Sequence, residues 1–267
     1  MPEPPPGLES DPIADGFTLD RWLGGRLVLV QPRDGHRVGT DAALLAAAAG
    51  TEEGRIADVG AGVGAVGLAL AQRSERVFAD LIEIDPDLAR LAGINAARNG
   101  LHARARVLTL DILEPGERRE AGIARETADC VVTNPPFFES GTVRASADQV
   151  RARAHVLRPA EGGATLEAWI RASLALLRPD GRFVMIHRPD ALASILAATK
   201  RRLGGLALLP VHAFAGGSAH RLLVSGVKGS KAPMRIAPAL ILHGADGRLT
   251  AEADAIHRGE ALLKWGA

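Results

Sequence analysis

The sequence predicts an α/β protein: a mostly parallel sheet with helices on both faces. Three observations carry the prediction. Short β-branched runs alternate with helical stretches from residue 55 onward, the pattern of a parallel sheet covered on both sides. A glycine-rich turn follows the first of these strands, where the backbone must turn sharply. Acids and an Asn-Pro-Pro stand where strands stop, the edge at which open α/β sheets place their chemistry.

Composition bounds the function. The 267 residues are 47% hydrophobic and 24% charged, ordinary for a soluble globular chain. With 32 Lys+Arg against 31 Asp+Glu, the net charge of +1 excludes a uniformly basic coat, so any polyanion must be met by a local patch. The single cysteine, Cys130, excludes an internal disulfide and a cysteine-built zinc site, and is read as a buried, inert thiol. That usage suits a reducing cytoplasm. The N-terminus lacks a charged-then-apolar signal pattern, and no apolar run approaches the roughly 18 residues of a membrane span. A soluble cytoplasmic protein with no membrane contact is expected.

Residues 1–15, rich in Pro and acids, are expected to be a disordered lead-in. Residues 21–31 read as a short hairpin. The turn-rich stretch 34–41 ends in either Thr40 or Asp41 as the N-cap of a helix over 42–49, which Gly50 closes. The alternative is that this stretch closes over a ligand. A strand follows at 55–59, then glycines and a helix over 66–72, then a second strand at 77–84. Pro86 stands at a helix start and residues 87–99 run helically to a Gly100 stop. Strands three and four are read at 106–110 and 130–133. A helix over 165–177 closes at Pro179-Asp180-Gly181. The fifth strand is read at 182–187, a helix at 191–203, and paired last strands at 206–214 and 222–227.

The first strand runs into Asp58-Val59-Gly60-Ala61-Gly62-Val63-Gly64, where glycines let the backbone approach a ligand. Glu83 ends the second strand, where a carboxylate can accept both hydroxyls of a ribose. Strand, glycine turn, helix, strand and acid in that order point to a nucleoside-containing cofactor. Gly62 to Gly67 also matches G-x-G-x-x-G, so a dinucleotide is a rival. Asp58 stands where such sites usually carry apolar residues, and its carboxylate suits a cationic amino group. Asp111, at the end of the third strand, is placed to accept from an adenine amino group, with Ile112 against the ring. Asn134 follows the fourth strand, held extended by Pro135 and Pro136. Phe137 beside it offers a flat face for stacking on a base. Downstream, Arg144, Arg151, Arg153, His155 and Arg158 are opposed only by Asp148, a set that can neutralise phosphates while an adenine is flipped out. Lys200-Arg201-Arg202 reads as a helix C-terminus, and the scattered histidines show no ligand spacing.

Asp58-x-Gly60-x-Gly62-x-Gly64, Glu83-Ile84-Asp85, Asp111-Ile112 and Asn134-Pro135-Pro136-Phe137 together resemble class I S-adenosylmethionine-dependent methyltransferases of the Asn-Pro-Pro-aromatic, amino-methylating type. More narrowly, Gln31-Pro32-x-x-Gly35-His36-Arg37-x-Gly39-Thr40-Asp41-x-x-Leu44-Leu45 is similar to the opening segment of the bacterial tRNA(Val) adenine-N6 methyltransferase family. The resemblance covers about residues 20–230. It departs at Phe137 and His36, where Tyr is usual, and at Ala61, where Thr or Ser is frequent.

This resemblance implies a Rossmann-like, seven-stranded sheet with the last strand antiparallel. It implies S-adenosyl-L-methionine as cofactor, S-adenosyl-L-homocysteine as product, no metal, and N6 of an adenine in RNA as acceptor, in a tRNA anticodon loop. Asp58, Gly60, Ala61, Gly62, Gly64, Glu83, Ile84, Asp111, Ile112 and Asn134, with Thr40 and Asp41, would hold the cofactor. Asn134, the Pro135 carbonyl and Phe137 would act on the amine and base, and Pro136, Phe138, Arg144, Arg151, Arg153 and His155 would meet the RNA. By domain, 16–50 would close over the cofactor site, 51–230 would be the catalytic domain, and 231–267 would pack on it as a tail. Monomer and homodimer are both compatible. The rivals are protein glutamine-N5 methylation, a nicotinamide oxidoreductase, and a non-catalytic cofactor-binding protein.

Overall fold

The computed structural model describes residues 16–35, 37–51, 53–123, 125–136 and 165–266. Strands β1 (Phe17–Trp22) and β2 (Leu27–Pro32) form an antiparallel hairpin. The main sheet contains β3 (Gly54–Val59), β4 (Val77–Glu83), β5 (Ala105–Thr109), β6 (Ala128–Thr133), β7 (Leu177–His187), β8 (Leu203–Phe214) and β9 (Ala219–Lys228). Two short strands, β10 (Arg235–Ile236) and β11 (Leu240–His243), join it from the tail. The order is β10-β8-β9-β7-β6-β3-β4-β5, with β11 also on β8. Among the described strands of this sheet, β9 alone runs antiparallel to its neighbours. The expected seven-stranded Rossmann-like core is therefore present, extended by two tail strands that run parallel to β8.

The described α-helices are α1 (Thr40–Ala49), α2 (Ala65–Arg73), α3 (Pro86–Arg98), α4 (Pro115–Glu120), α5 (Leu166–Leu176), α6 (Leu192–Thr199) and α7 (Ala251–His257). Strand side chains alternate between faces, and two buried clusters result. Leu81, Val132 and Val184 pack with α1 and α2 on one face. Ile82, Val131 and Phe183 pack with α5 on the other. No described helix is long and apolar enough to cross a membrane.

Several boundaries differ from the sequence reading, for local reasons. Neither Thr40 nor Asp41 caps α1; Gly39 takes the N-cap position with no side-chain bond, because both side chains bond elsewhere. Helix α6 stops at Thr199 rather than 203, since Arg201 adopts φ +62° and turns the chain into β8. Strand β7 begins at Leu177, not 182: Leu177 pairs with Ala128, and the register then shifts before Cys130. Asp180 at φ +61° makes Pro179-Asp180-Gly181 an irregularity within the strand instead of a loop before it. Helices α4 and α7 and strands β10 and β11 were not foreseen.

Helix α3 attaches the hairpin to the sheet. Asp85 caps it, accepting from the Asp87 and Leu88 N–H groups at 2.8 and 3.2 Å, and Pro86 occupies the first turn. Two asparagines one turn apart then act as substitute strand residues. Asn95 accepts the Val30 N–H at 2.7 Å and donates to the Val30 carbonyl at 3.0 Å. Asn99 does the same to Val28, at 2.9 and 2.8 Å. Four residues of helix advance about 6.0 Å and two of strand about 6.7 Å, so the amides match the edge of β2. Asn95 also donates to the Val63 carbonyl at 3.0 Å in the turn after β3, and is fully buried.

Replacing Asn95 with Ala would strand a buried N–H and two carbonyls, so a loss of about 3 kcal/mol is expected. Asn99→Ala, at a half-buried site, is expected to cost about 1 kcal/mol. Urea unfolding of both variants checks the order; equal losses would show that burial of the Asn95 amide does not set the cost.

Candidate active site

The parallel strands bring the sequence motifs to one edge. Val59 pairs with Thr133, Val59 with Ile82, and Glu83 with Thr109. The turn after β3, the acid ending β4, Asp111 after β5 and the Asn134 segment after β6 therefore stand side by side at the carboxyl ends.

The glycine turn is held from beneath. Gly60 and Ala61 both donate to the Ile82 carbonyl, at 2.9 and 3.0 Å. Gly60 has φ +75°, and a Cβ there would sit 3.1 Å from the Trp169 ring. A Cβ at Gly62, which has φ +56°, would meet nothing within 4 Å among the described residues, which leave open space over the turn. Gly64, also at positive φ, opens α2.

Two buried acids flank this turn. Asp58 is 2% exposed and Glu83 7%. Asp58 Oδ2 accepts the Gly67 N–H at 2.8 Å. Glu83 accepts from Gly62 at 2.7 Å and from Asp85 at 3.0 Å. Burial pushes the Asp58 carboxyl up to about 7, against the pull of the Gly67 N–H and helped by the negative charge of Glu83. Glu83 is also raised by burial, opposed by the N–H groups it accepts. A cation brought against this pair would relieve both.

The other acid is less enclosed. Asp111 Oδ1 accepts the Leu113 N–H at 2.8 Å, and the Asp111 N–H donates to Glu117 at 2.7 Å. Ile112 is buried in the cluster on the α5 face, while Ile84 is half-buried.

On the β6 side, Thr133 is the anchor. Its hydroxyl donates to the Val59 carbonyl at 2.8 Å and accepts from the Trp169 indole N–H at 2.9 Å. The chain then leaves the sheet as half-buried Asn134, buried Pro135 and exposed Pro136. Phe137, Phe138, Arg144, Arg151, Arg153, His155 and Arg158 lie outside the described residues.

Thr40 and Asp41 are drawn to the far side of this edge. Asp41 pairs with Arg221 of β9 at 2.8 Å, and the Thr40 hydroxyl lies 3.2 Å from His257 Nε2. Val38 packs against the cluster of Val30, Val63 and Leu91, which brings the segment before α1 toward the glycine turn. Thr133, Trp169, Asn95, Arg221 and His257 were missed from sequence. One signal was available, since Asn95 and Asn99 are poor helix formers set one turn apart. The others pair with residues 36 to 217 positions away.

A cavity of about 580 Å³ opens at the opposite end of the sheet, lined by Gly54, Asp129, Arg178 and Arg182 among others. Its charges are matched within the wall: Arg178 pairs with Asp129 at 2.5 Å and Arg182 donates to the Ala48 and Ala49 carbonyls. It is separate from the edge described above.

Residues 35–197 match the model of the methyltransferase small domain family. The chain is 36% identical over 172 residues to a Porphyromonas gingivalis protein named tRNA1(Val) (adenine(37)-N6)-methyltransferase, covering 62% of this chain and 64% of that one. The match thus spans just under two thirds of that relative's length. Among solved structures, a predicted O-methyltransferase of Agrobacterium tumefaciens superposes with a TM-score of 0.69 at 31% identity, covering 84% of this chain and 98% of that one. A Thermus thermophilus 16S rRNA N2 methyltransferase, solved with AdoMet and guanosine, shares the fold at TM-score 0.54 and 21% identity, over 79% of this chain and 50% of that one.

A carboxyl raised by folding destabilises the native state as it ionises, so the Asp58 contribution is lost as pH rises from about 4 to about 7. Asp58→Asn keeps an acceptor for the Gly67 N–H but cannot titrate. Its stability relative to the wild type is expected to climb across that window and level off above it, read by thermal unfolding without ligand. A difference independent of pH would show that Asp58 ionises in its ordinary range.

Proposed function

Because the chain belongs to the methyltransferase small domain family, we propose that it transfers a methyl group from S-adenosyl-L-methionine to the exocyclic N6 amino group of an adenine in the anticodon loop of a tRNA. The supporting observation is the juxtaposition of Asn134-Pro135 with the Asp58-to-Gly64 turn on paired strands. The reading puts the protein with its RNA in the cytoplasm.

The residues present fit the cofactor. Open space over Gly62 leaves room for a chain that a Cβ elsewhere in the turn would crowd. The buried Asp58 suits a cationic end, as in the methionine part, which Gly60, Ala61, Gly62 and Gly64 would line with Thr40 and Asp41 at the border. Glu83 has lone pairs left for ribose hydroxyls after accepting the Gly62 and Asp85 N–H groups. Asp111 would accept the adenine amino group between Ile84 and Ile112. When bound, the cofactor supplies a methyl group on a positively charged sulfur and leaves as S-adenosyl-L-homocysteine.

The acceptor side works by positioning. The Asn134 amide oxygen and the Pro135 carbonyl would each accept one N–H of the target amine, turning its lone pair out of the base plane. Both are uncharged acceptors, so they stabilise the positive charge growing on that nitrogen until water takes the surplus proton. An amine offers two N–H groups to this pair, whereas a hydroxyl offers one and needs a base; the loop therefore favours a nitrogen acceptor. Phe137 would stack the base, with Pro136 and Phe138 beside it, while Arg144, Arg151, Arg153 and His155 meet phosphates.

Labelled methyl transfer to bulk tRNA, with protein acceptors in parallel, tests this. Label is expected in N6-methyladenine, and Asn134→Ala is expected to lower the rate about 100-fold or more with cofactor binding intact. Full transfer by Asn134→Ala would remove that residue from its role, and label in protein alone would move the assignment to glutamine methylation.

A further inference from the structure

The β8–β9 hairpin projects past the edge that carries Asn134. Strands β6, β7 and β8 run in the same direction, and the register aligns Thr133 with Met185, Val224 and Leu208. Phe214 is six residues beyond Leu208, so the tip of β8 stands about 20 Å past the level of Thr133. Three strand spacings separate β6 from β8, about 14 Å across the sheet. The tip is therefore out of reach of a base held at Asn134, but within the span of a strand leading away from it.

The tip carries rings. Phe214 is half exposed, and the His243 imidazole of β11 lies against it with centroids 5.3 Å apart and planes tilted by 32°. His243 Nδ1 bonds the Ala213 carbonyl at 3.1 Å, which makes it the protonated nitrogen and fixes the ring. His212 is fixed in the same way on the Gly217 carbonyl at 2.7 Å. His220 follows on β9 beside Arg221, whose charge is taken up by Asp41, and exposed Arg248 lies in the turn after β11. Asp246 is the acid of that turn, and it accepts the Arg248 N–H. A lone exposed apolar side chain is common, and Phe78 is one, at the opposite end of its strand. A phenyl ring held against an oriented imidazole, with the exposed Arg248 guanidinium in the adjoining turn, is a different surface. It matches the pairing of stacking faces and positive charge that single-stranded nucleic acid takes.

We propose that Phe214, backed by His243, is a stacking platform for a nucleobase of the RNA substrate outside the target position. The inference rests on the RNA reading above. Its expected effect is confined to RNA affinity, because Phe214 touches neither the glycine turn nor Asn134.

The test is steady-state methyl transfer by the full chain to bulk tRNA, with direct titration of S-adenosyl-L-methionine and thermal unfolding of each variant. Phe214→Ala and Phe214→Leu are expected to raise KM for tRNA about 5- to 100-fold, the equivalent of one stacked base. The maximal rate, cofactor affinity and unfolding temperature should stay at wild-type values, and Phe214→Trp should restore KM. Leu keeps the apolar bulk without the π face, so a KM raised by Ala and not by Leu would overturn stacking. Wild-type KM in both variants would overturn the platform while leaving the RNA reading intact. Failure of the wild type to label tRNA would overturn the RNA reading and the platform with it.

Discussion

The buried amide of Asn95 is the contact on which the assembly of the site rests. One side chain satisfies the Val30 N–H, the Val30 carbonyl and the Val63 carbonyl. Those groups belong to the hairpin and to the glycine turn, two segments that share no sheet. A two-stranded hairpin is marginal by itself, and here its free edge finds partners on a helix instead of a third strand. Asn99 repeats the arrangement one turn on. The hairpin, α3 and the turn after β3 are thereby tied together, and the glycine turn is braced against the sheet.

A second buried polar chain does the same for the Asn134 side of the edge. The Trp169 indole, the Thr133 hydroxyl and the Val59 carbonyl form a line from α5 through β6 to β3. The same indole ring lies under Gly60, so one side chain references both halves of the edge. The positioning mechanism proposed above needs that common reference, since small misplacements cost large factors in rate. Against this fixed frame, the raised Asp58 and Glu83 carboxyls store electrostatic cost that a bound cation would release.

Much of the fold was legible because its signals are local. Pro86 and Gly100 bracket α3 as expected, and the β-branched runs at Ile56, Ile82, Val131 and Val184 fall in strands of the sheet. Boundaries failed where tertiary pairing overrode local chemistry. Pro179-Asp180-Gly181 looks like a loop, but Leu177 already pairs with Ala128 across the irregularity. The candidate site was legible where a motif sits at a strand end, as with Asp58, Glu83 and Asn134. It was not legible where a partner is distant in the chain: Arg221 reaches Asp41 and His257 reaches Thr40 only after the sheet has formed. The strands of the tail were invisible for a related reason, since β10 spans two residues and takes its shape from β8.

Those tail strands finish an edge that would otherwise be open. Strand β8 is twelve residues long, and its outer backbone would offer another chain a template for pairing. Arg235–Ile236 and Leu240–His243 occupy that side in two short pieces, interrupted at Pro238, whose ring has no N–H to donate. The segment is then tied back to α1, where Leu263 N–H and the Trp265 indole reach the Ala47 and Ala48 carbonyls at 3.0 Å. What remains outermost is too short and too broken to recruit a neighbour. The tail thus closes this edge to strand-to-strand pairing, leaving the long β8–β9 hairpin free to stand proud of the sheet without offering its flank to another chain.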